Sequence, residues 1–224
     1  MRNRNLVLLP CLIAIAMLCA CAPLTPEAFK AQIDSQVPRA VVAQKLPMKV
    51  AVIVPEASRA RSRLDRLSGF CGTPLPEWPY GDIFVKTIQD VFSKLYERVD
   101  LVTNRMNGEG FEAVFEAQLT GLSAKPSCPA QLYATQRAEG TLRAVDFQGA
   151  EIWRSRAHSK DLQTQGLTHE TDLDREAVFA VIRALVTDWL LELESLPTDR
   201  YARRPGLERT APVPSSQPAP PPIY

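Results

Sequence analysis

Four residues near the amino terminus, Leu18-Cys19-Ala20-Cys21, carry the clearest chemistry in the chain. A deprotonated cysteine sulfur is a strong nucleophile, so a cysteine fixed behind a small residue is a position for covalent modification. The preceding segment explains how such a site would be reached. Arg2 and Arg4 give a charged start, and residues 6–18 form an apolar run broken only by Pro10. That is the anatomy of an export signal. The run is about 13 residues long, short of the ~20 needed to cross a bilayer as a helix. A plain secretory signal and an uncleaved anchor are the alternatives. The cysteine at the cleavage point favours cleavage with a modified new terminus.

Those four residues resemble a bacterial lipobox: a branched apolar residue (Leu18), a tolerant position (Cys19), a small residue (Ala20) and an obligatory cysteine (Cys21). The resemblance implies that the Cys21 thiol takes a diacylglyceryl group, that the chain is cut just before it, and that the new amino group is acylated. One acyl chain binds a membrane marginally, whereas two or more hold it durably. Residues 1–20 are then a signal peptide, and the membrane is a partner through acylated Cys21. Ala22, rather than Asp, follows the cysteine, which implies the periplasmic face of the outer membrane rather than the inner membrane.

Of five cysteines, Cys11 and Cys19 would leave with the signal, so Cys71 and Cys128 remain as thiols in an oxidising compartment. A disulfide between them is expected. Closing a loop of about 57 residues would contribute up to ~4 kcal/mol. Two separate thiols are the alternative. There is no Cys-x-x-Cys, and only His158 and His169 could assist, so no four-ligand zinc set is recognisable and no metal or cofactor is expected. The charge is balanced, with 26 Lys and Arg against 25 Asp and Glu. Nucleic acid, which calls for a concentrated basic face, is not an expected partner.

Catalytic patterns are missing. There is no Gly-x-Ser-x-Gly elbow and no Ser-x-x-Lys set in a suitable context. Gly108-Glu109-Gly110 reads as a turn, not as a phosphate-binding loop. Glu112 and Glu116 share the spacing of one strand face, where they either pair as carboxylates or are simply solvated; His158 reads as a surface histidine beside arginines. Enzyme activity is therefore not expected. A binding surface is the better candidate. Residues 56–81 form a long loop carrying Arg59, Arg61, Arg63 and Arg66, suited to phosphates, acidic headgroups or an acidic partner because the guanidinium donates two parallel bonds. The alternative is a solvated charged loop, interrupted by Asp65. Trp78 and Tyr80, framed by prolines, are either an interface anchor or fold back onto the helix that follows.

The elements that must position these residues follow from hydrophobic period. Residues 22–47 read as a proline-punctuated tether with a short amphipathic piece (Phe29, Ile33, Val37) that either packs or floats. Residues 49–54 are β-branched on both faces, the pattern of a buried strand. Helical spacing of Phe84, Ile88, Val91, Phe92 and Leu95 predicts a helix over 82–98, running into a short strand at 99–102. Alternation predicts strands over 111–122, 132–147 and 150–160, the last two joined by a hairpin turn at 147–149. A polar loop over 161–171 is expected to lead to a second helix over 172–195. Residues 201–224 are rich in proline and predict an extended, disordered tail. The expected fold is α+β: a two-layer sandwich over residues 48–200, with a mixed four- to five-stranded sheet and two helices packed on one face.

In order of elements, residues 48–196 are similar to small periplasmic lipoprotein domains: the TolB amino-terminal domain, the curli-secretion lipoprotein, penicillin-binding-protein activator lipoproteins and the auxiliary lipoproteins of lipid transporters. The likeness rests on Val50 to Pro55, on the helix and strand over 81–102, and on the hairpin from Val145 through Gly149 to Trp153. It implies a binding or assembly role with an envelope protein partner and no cofactor. The other role expected is direct binding of a lipid or glycan in a groove between the helices and the sheet.

Overall fold

The computed structural model describes residues 25–39, 41–67, 77–104, 110–125, 133–146, 148–165 and 171–202. The signal segment, Cys21, Cys71, Cys128 and the proline-rich tail lie outside the described residues. Among these residues nine main elements and three minor ones follow one another: α1 (Pro26–Gln36), β1 (Leu46–Ile53), a short α2 (Glu56–Arg59), a two-residue β2 (Arg66–Leu67), α3 (Tyr80–Leu95), β3 (Tyr96–Val102), β4 (Ala113–Lys125), β5 (Tyr133–Val145), β6 (Glu151–Arg154), β7 (Ser159–Gln165), α4 (Thr171–Glu194) and a 3-10 turn (Thr198–Arg200).

The strands form one mixed sheet in the order β3-β1-β4-β5-β6, with β2 added against β4 and β7 against β5. β1 is parallel to both its neighbours, with Val50 opposite Val99 and Ala113. The connection from β1 through α3 to β3 is thus a parallel crossover. The helices cover one face, giving the expected two-layer α+β sandwich. Phe84, Ile88, Val91, Phe92 and Leu95 of α3 are buried against Val50, Val52, Phe115, Ala117 and Leu119, and α4 buries Val178, Val181, Ile182, Leu185, Trp189, Leu190 and Leu193 in the same core. The other face holds a small apolar cluster of Ala51, Ile53, Val102, Val114 and Val145 at one end.

Along β4 the alternation read from sequence is observed until the register shifts between Leu119 and Gly121. One inserted residue reverses which face the next residues occupy. Leu122 and Ala124 therefore return to the buried side.

Several boundaries differ from expectation, each for a local reason. The stretch over 150–160 is two strands: β6 pairs with Arg143, Ala144 and Val145, while β7 pairs with residues 133–139 of β5. Between them, Ser155 N donates to Leu142 O (2.9 Å) and Gly140 N donates to His158 O (3.0 Å), so the chain steps away from β5 and returns. The expected polar loop over 161–171 is corrected in its first half, since residues up to Gln165 form β7. Its sole large apolar residue, Leu162, points into the core. The 56–81 loop contains α2 and β2. Helix α3 begins at Tyr80 and gives way directly to β3 at Tyr96.

The stretch read as a tether holds α1, which packs rather than floats. Thr25 caps it, its Oγ1 accepting from Ala28 N at 3.3 Å, with Pro26 in the first turn. Phe29 and Ile33 enter the core. Gln36 fixes its far end on the edge of the sheet: Gln163 N donates to Gln36 Oε1 (2.9 Å), and Gln36 Nε2 donates to Gln163 O (2.5 Å). Packing against the core therefore includes residues before β1, from the Thr25 cap through Gln36.

Tyr201 stands near the other end of the described residues. Its fully buried ring lies 5.7 Å from Phe115 and 6.5 Å from Trp153, beside a cluster in which Phe92, Tyr96 and Phe115 also touch. The Tyr96 and Tyr201 hydroxyls approach one another without a well-formed hydrogen bond. Burial pushes both phenols above their ordinary range, and for Tyr96 the neighbouring Tyr201 adds to the shift. The native state therefore favours neutral phenols. This stability is complete below the unfolded tyrosine value, near 10, and is lost as pH rises above it.

Tyr201→Ala is expected to cost about 3–5 kcal/mol through the cavity it leaves, whereas Tyr201→Phe keeps the ring and stays near wild type at neutral pH. Between pH 9 and 11, Tyr201→Phe should lose stability less steeply than wild type. Urea midpoints measured across that range provide the check, and parallel pH profiles would refute the titration argument.

Candidate functional site

Arg59, Arg61 and Arg63 of the 56–81 segment each meet different partners. Arg59 ends α2 and donates through Nε to Val54 O (2.9 Å), closing the end of β1. Arg61 is mostly covered, its side chain 17% exposed, and donates to both Asp65 oxygens (2.7 and 2.8 Å) and to Thr120 O (3.2 Å). Asp65 in turn accepts from Leu122 N (2.7 Å), and its own N donates to Leu122 O (2.7 Å). Arg61 and Asp65 therefore dock this segment on β4. Arg63 stands in solvent and pairs with Glu77 (2.6 Å). Arg66 contributes its backbone to β2, opposite Ser123.

Trp78 and Tyr80 part company. Tyr80 opens α3 with its ring buried and 6.4 Å from Phe179, edge to face. Burial raises its phenol, an effect that the positive charge of Arg175 opposes. Trp78 stays half-buried, with the Arg175 guanidinium 3.9 Å from its ring centre, a cation–π contact. The segment reaches this position through Gly81. Its N donates to Arg61 O (2.9 Å), and a Cβ there would sit 1.9 Å from Arg59 O. Only glycine allows so close an approach.

The residues weighed for catalysis are held in separate structural contacts. Glu112 accepts from Lys49 N (2.8 Å) and its own N donates to Lys49 O (2.9 Å), which registers the start of β4 on β1. Glu116 lies in an ion pair with Arg143 on the exposed sheet face. The two glutamates thus meet different partners. The exposed His158 ring lies with Nδ1 2.8 Å from Arg156 O. On the same sheet face Glu151 accepts from Arg154, which lowers its carboxyl below the usual range. Arg98 pairs with Asp100 and Arg137 with Glu139, each guanidinium being held further charged by its partner. Among the described residues no group of three or more His, Cys, Asp and Glu is placed to hold a metal, and no helix is long and apolar enough to cross a membrane.

The space between the helices and the sheet is filled by core side chains. Among the described residues, concave surface is found on the outside of the helical layer. One depression of about 250 Å³ runs between α1 and α4, lined by Lys30, Ile33, Asp34, Glu176, Phe179 and Arg183. A second, of about 480 Å³, continues from it past the end of α1, with Arg39, Val41, Val91, Lys94 and Thr187. Asp34 and Arg183 belong to both. Sequence reading missed this groove. Thr25-Pro26-Glu27 is a helix-start signal that would have revealed α1, but no local pattern shows that α1 lies on α4.

No family model matches the sequence and no curated protein matches it. Among solved structures, the chain superposes on a Xanthomonas campestris protein of family DUF330 with a TM-score of 0.42 and 11% identity, over 70% of this chain and 87% of that one. A minor lipoprotein from Acinetobacter baumannii gives a TM-score of 0.37 and 11% identity, over 71% and 97%. The PelC dodecamer from Paraburkholderia phytofirmans gives 0.35 and 12%, over 68% and 91%. No residue role, ligand or partner passes from these structures to this chain.

Gly81→Ala is expected to destabilise the domain by roughly 3 kcal/mol, because backbone must shift to admit the methyl group. Arg63→Ala, at an exposed pair, should stay within about 0.5 kcal/mol. Urea unfolding of both variants checks the contrast, and equal midpoints would show that the segment is not docked as described.

Proposed function

We propose that this chain is a lipid-anchored, non-catalytic lipoprotein of the bacterial envelope, held at the periplasmic face of the outer membrane, where it serves as a binding or assembly component of an envelope complex. The observation that carries the reading is Cys21 at the end of an export-type segment, followed within four residues by the start of a packed domain at Thr25. An acyl group on Cys21 would hold that domain directly at the bilayer. Ala22 supports the outer membrane as its address. Glu112, Glu116 and His158 are engaged in strand registration, an ion pair and a local turn, and this supports a binding rather than a chemical role. The Cys71–Cys128 disulfide and a disordered tail belong to this reading, but the tail expected from 201 is corrected at its start, because Tyr201 is buried in the core.

The groove outside the helical layer supports a second reading, in which the protein binds a lipid or glycan directly. It replaces the helix–sheet groove anticipated from sequence, which core side chains occupy.

Metabolic labelling with an alkyne fatty acid, followed by separation of the two membranes, tests the anchor. Wild type should carry label and travel with the outer membrane. Cys21→Ser should carry none, and should accumulate as uncleaved precursor or leave the membrane. A cleaved, unlabelled Cys21→Ser chain still held in the membrane would overturn the anchor. Crosslinking in intact cells before extraction tests the assembly role: a reproducible heavier species containing a second envelope protein is expected, and monomer alone would refute it.

A further inference from the structure

We infer that the groove along α1 and α4 faces the anchoring bilayer and seats the phosphate headgroups of its anionic lipids. The inference rests on acylation of Cys21 and adds an orientation and a ligand to it. Reach comes first. Four residues of fully extended chain span at most about 14 Å, so Thr25 stays within that distance of the anchored cysteine. Lys30 lies about 7 Å further along α1, at 1.5 Å per helical residue. Because Phe29, Ile33 and Gln36 fix α1 to the core and to β7, the anchor constrains the whole domain and not a loose arm.

Charge comes second. Lys30, Arg39, Lys94 and Arg183 line the groove against Asp34 and Glu176, an excess of two positive charges. All four cations are exposed and none forms an ion pair or hydrogen bond with a described residue. The sheet face differs: Arg98, Arg137, Arg143 and Arg154 each hold a carboxylate there. Unpaired cations above a phosphate surface gain what paired ones have already obtained from their partners. Val41, 77% exposed at the groove rim beside Arg39, supplies an apolar contact for the interfacial zone.

Hydrogen–deuterium exchange of the acylated full-length protein in nanodiscs tests this. Discs of phosphatidylcholine alone are compared with discs containing phosphatidylglycerol. A basic residue near an anionic surface is worth about a five-fold change in affinity. Amides over 30–45 and 176–187 should therefore exchange several-fold more slowly in the anionic discs. Lys94→Glu with Arg183→Glu, both at exposed positions, should abolish the difference while the chain stays disc-bound, and half-molar salt should weaken it. Equal exchange in the two discs, with Cys21 shown by mass spectrometry to be acylated, overturns this inference alone. The same holds if soluble phosphate produces the full protection without anionic lipid. An unmodified Cys21 overturns the anchor and this inference together.

Discussion

The indole of Trp189 is where the layers of this domain are joined. It is fully buried on α4, edge to face with Phe84 of α3 at 6.1 Å. Beneath it lies Gly140 of β5, where a Cβ would meet the indole at 3.2 Å and Gln118 O at 2.6 Å. Its Nε1 donates to Ala157 O at 2.6 Å. One side chain thereby spaces the helix from the sheet, packs the two long helices together and holds the link between β6 and β7. Its neighbours on α4 complete the arrangement. Glu192 accepts from Ser155 Oγ (2.6 Å) and Arg156 N (3.0 Å), and Asp188 accepts from Lys160 Nζ (2.8 Å). The strand breaks at residues 155–158 because α4 offers its backbone and side chains a second set of partners. A buried polar group must be satisfied, and α4 satisfies the ones that leaving the ladder would orphan.

That arrangement marks the limit of what the sequence discloses. Elements whose burial follows a simple period were readable: Val50 and Val52 in a strand covered on both faces, the α3 stripe from Phe84 to Leu95, and the alternation from Ala113 to Leu119. Elements stabilised by distant partners were not readable. Strand β7, Ser-Lys-Asp-Leu-Gln-Thr-Gln, has one large apolar residue, and its edge is covered by Gln36, 127 positions away. Helix α1 buries only Phe29 and Ile33, too few for a periodic signal over 11 residues. Composition likewise shows that Arg61 is charged but not that Asp65 and Thr120 O engage it, so a row of arginines in sequence becomes one strut, one cap and one exposed pair in space.

The same distinction separates two kinds of surface. On the open face of the sheet, Glu116, Arg143, Glu151 and Arg154 form a continuous line of opposite charges across β4, β5 and β6. Exposed pairs of this kind add little stability. They do place alternating signs along strands that would otherwise present a flat surface, which discourages other strands and hydrophobic partners from adhering to it. The face is thereby neutral and self-complementary in its charges. The groove on the helical face is the reverse, concave and carrying Lys30, Arg39, Lys94 and Arg183, which pair with no described residue.

Orientation links these two surfaces to a function. A domain on a long flexible tether presents every face to the membrane and to its neighbours with similar frequency, so the chemistry of any one face matters little to the anchor. A domain with a helix packed from Pro26 onward would lose that freedom under the proposed acylation of Cys21. Fixing α1 on β7 through Gln36 extends the core, and under the proposed acylation of Cys21 it would turn the groove toward the bilayer and the charge-paired sheet away from it. In that proposal Thr25, Phe29 and Gln36 would connect an acyl group at Cys21 to the geometry of the whole domain, and through them the modification would select between the two faces of the sandwich.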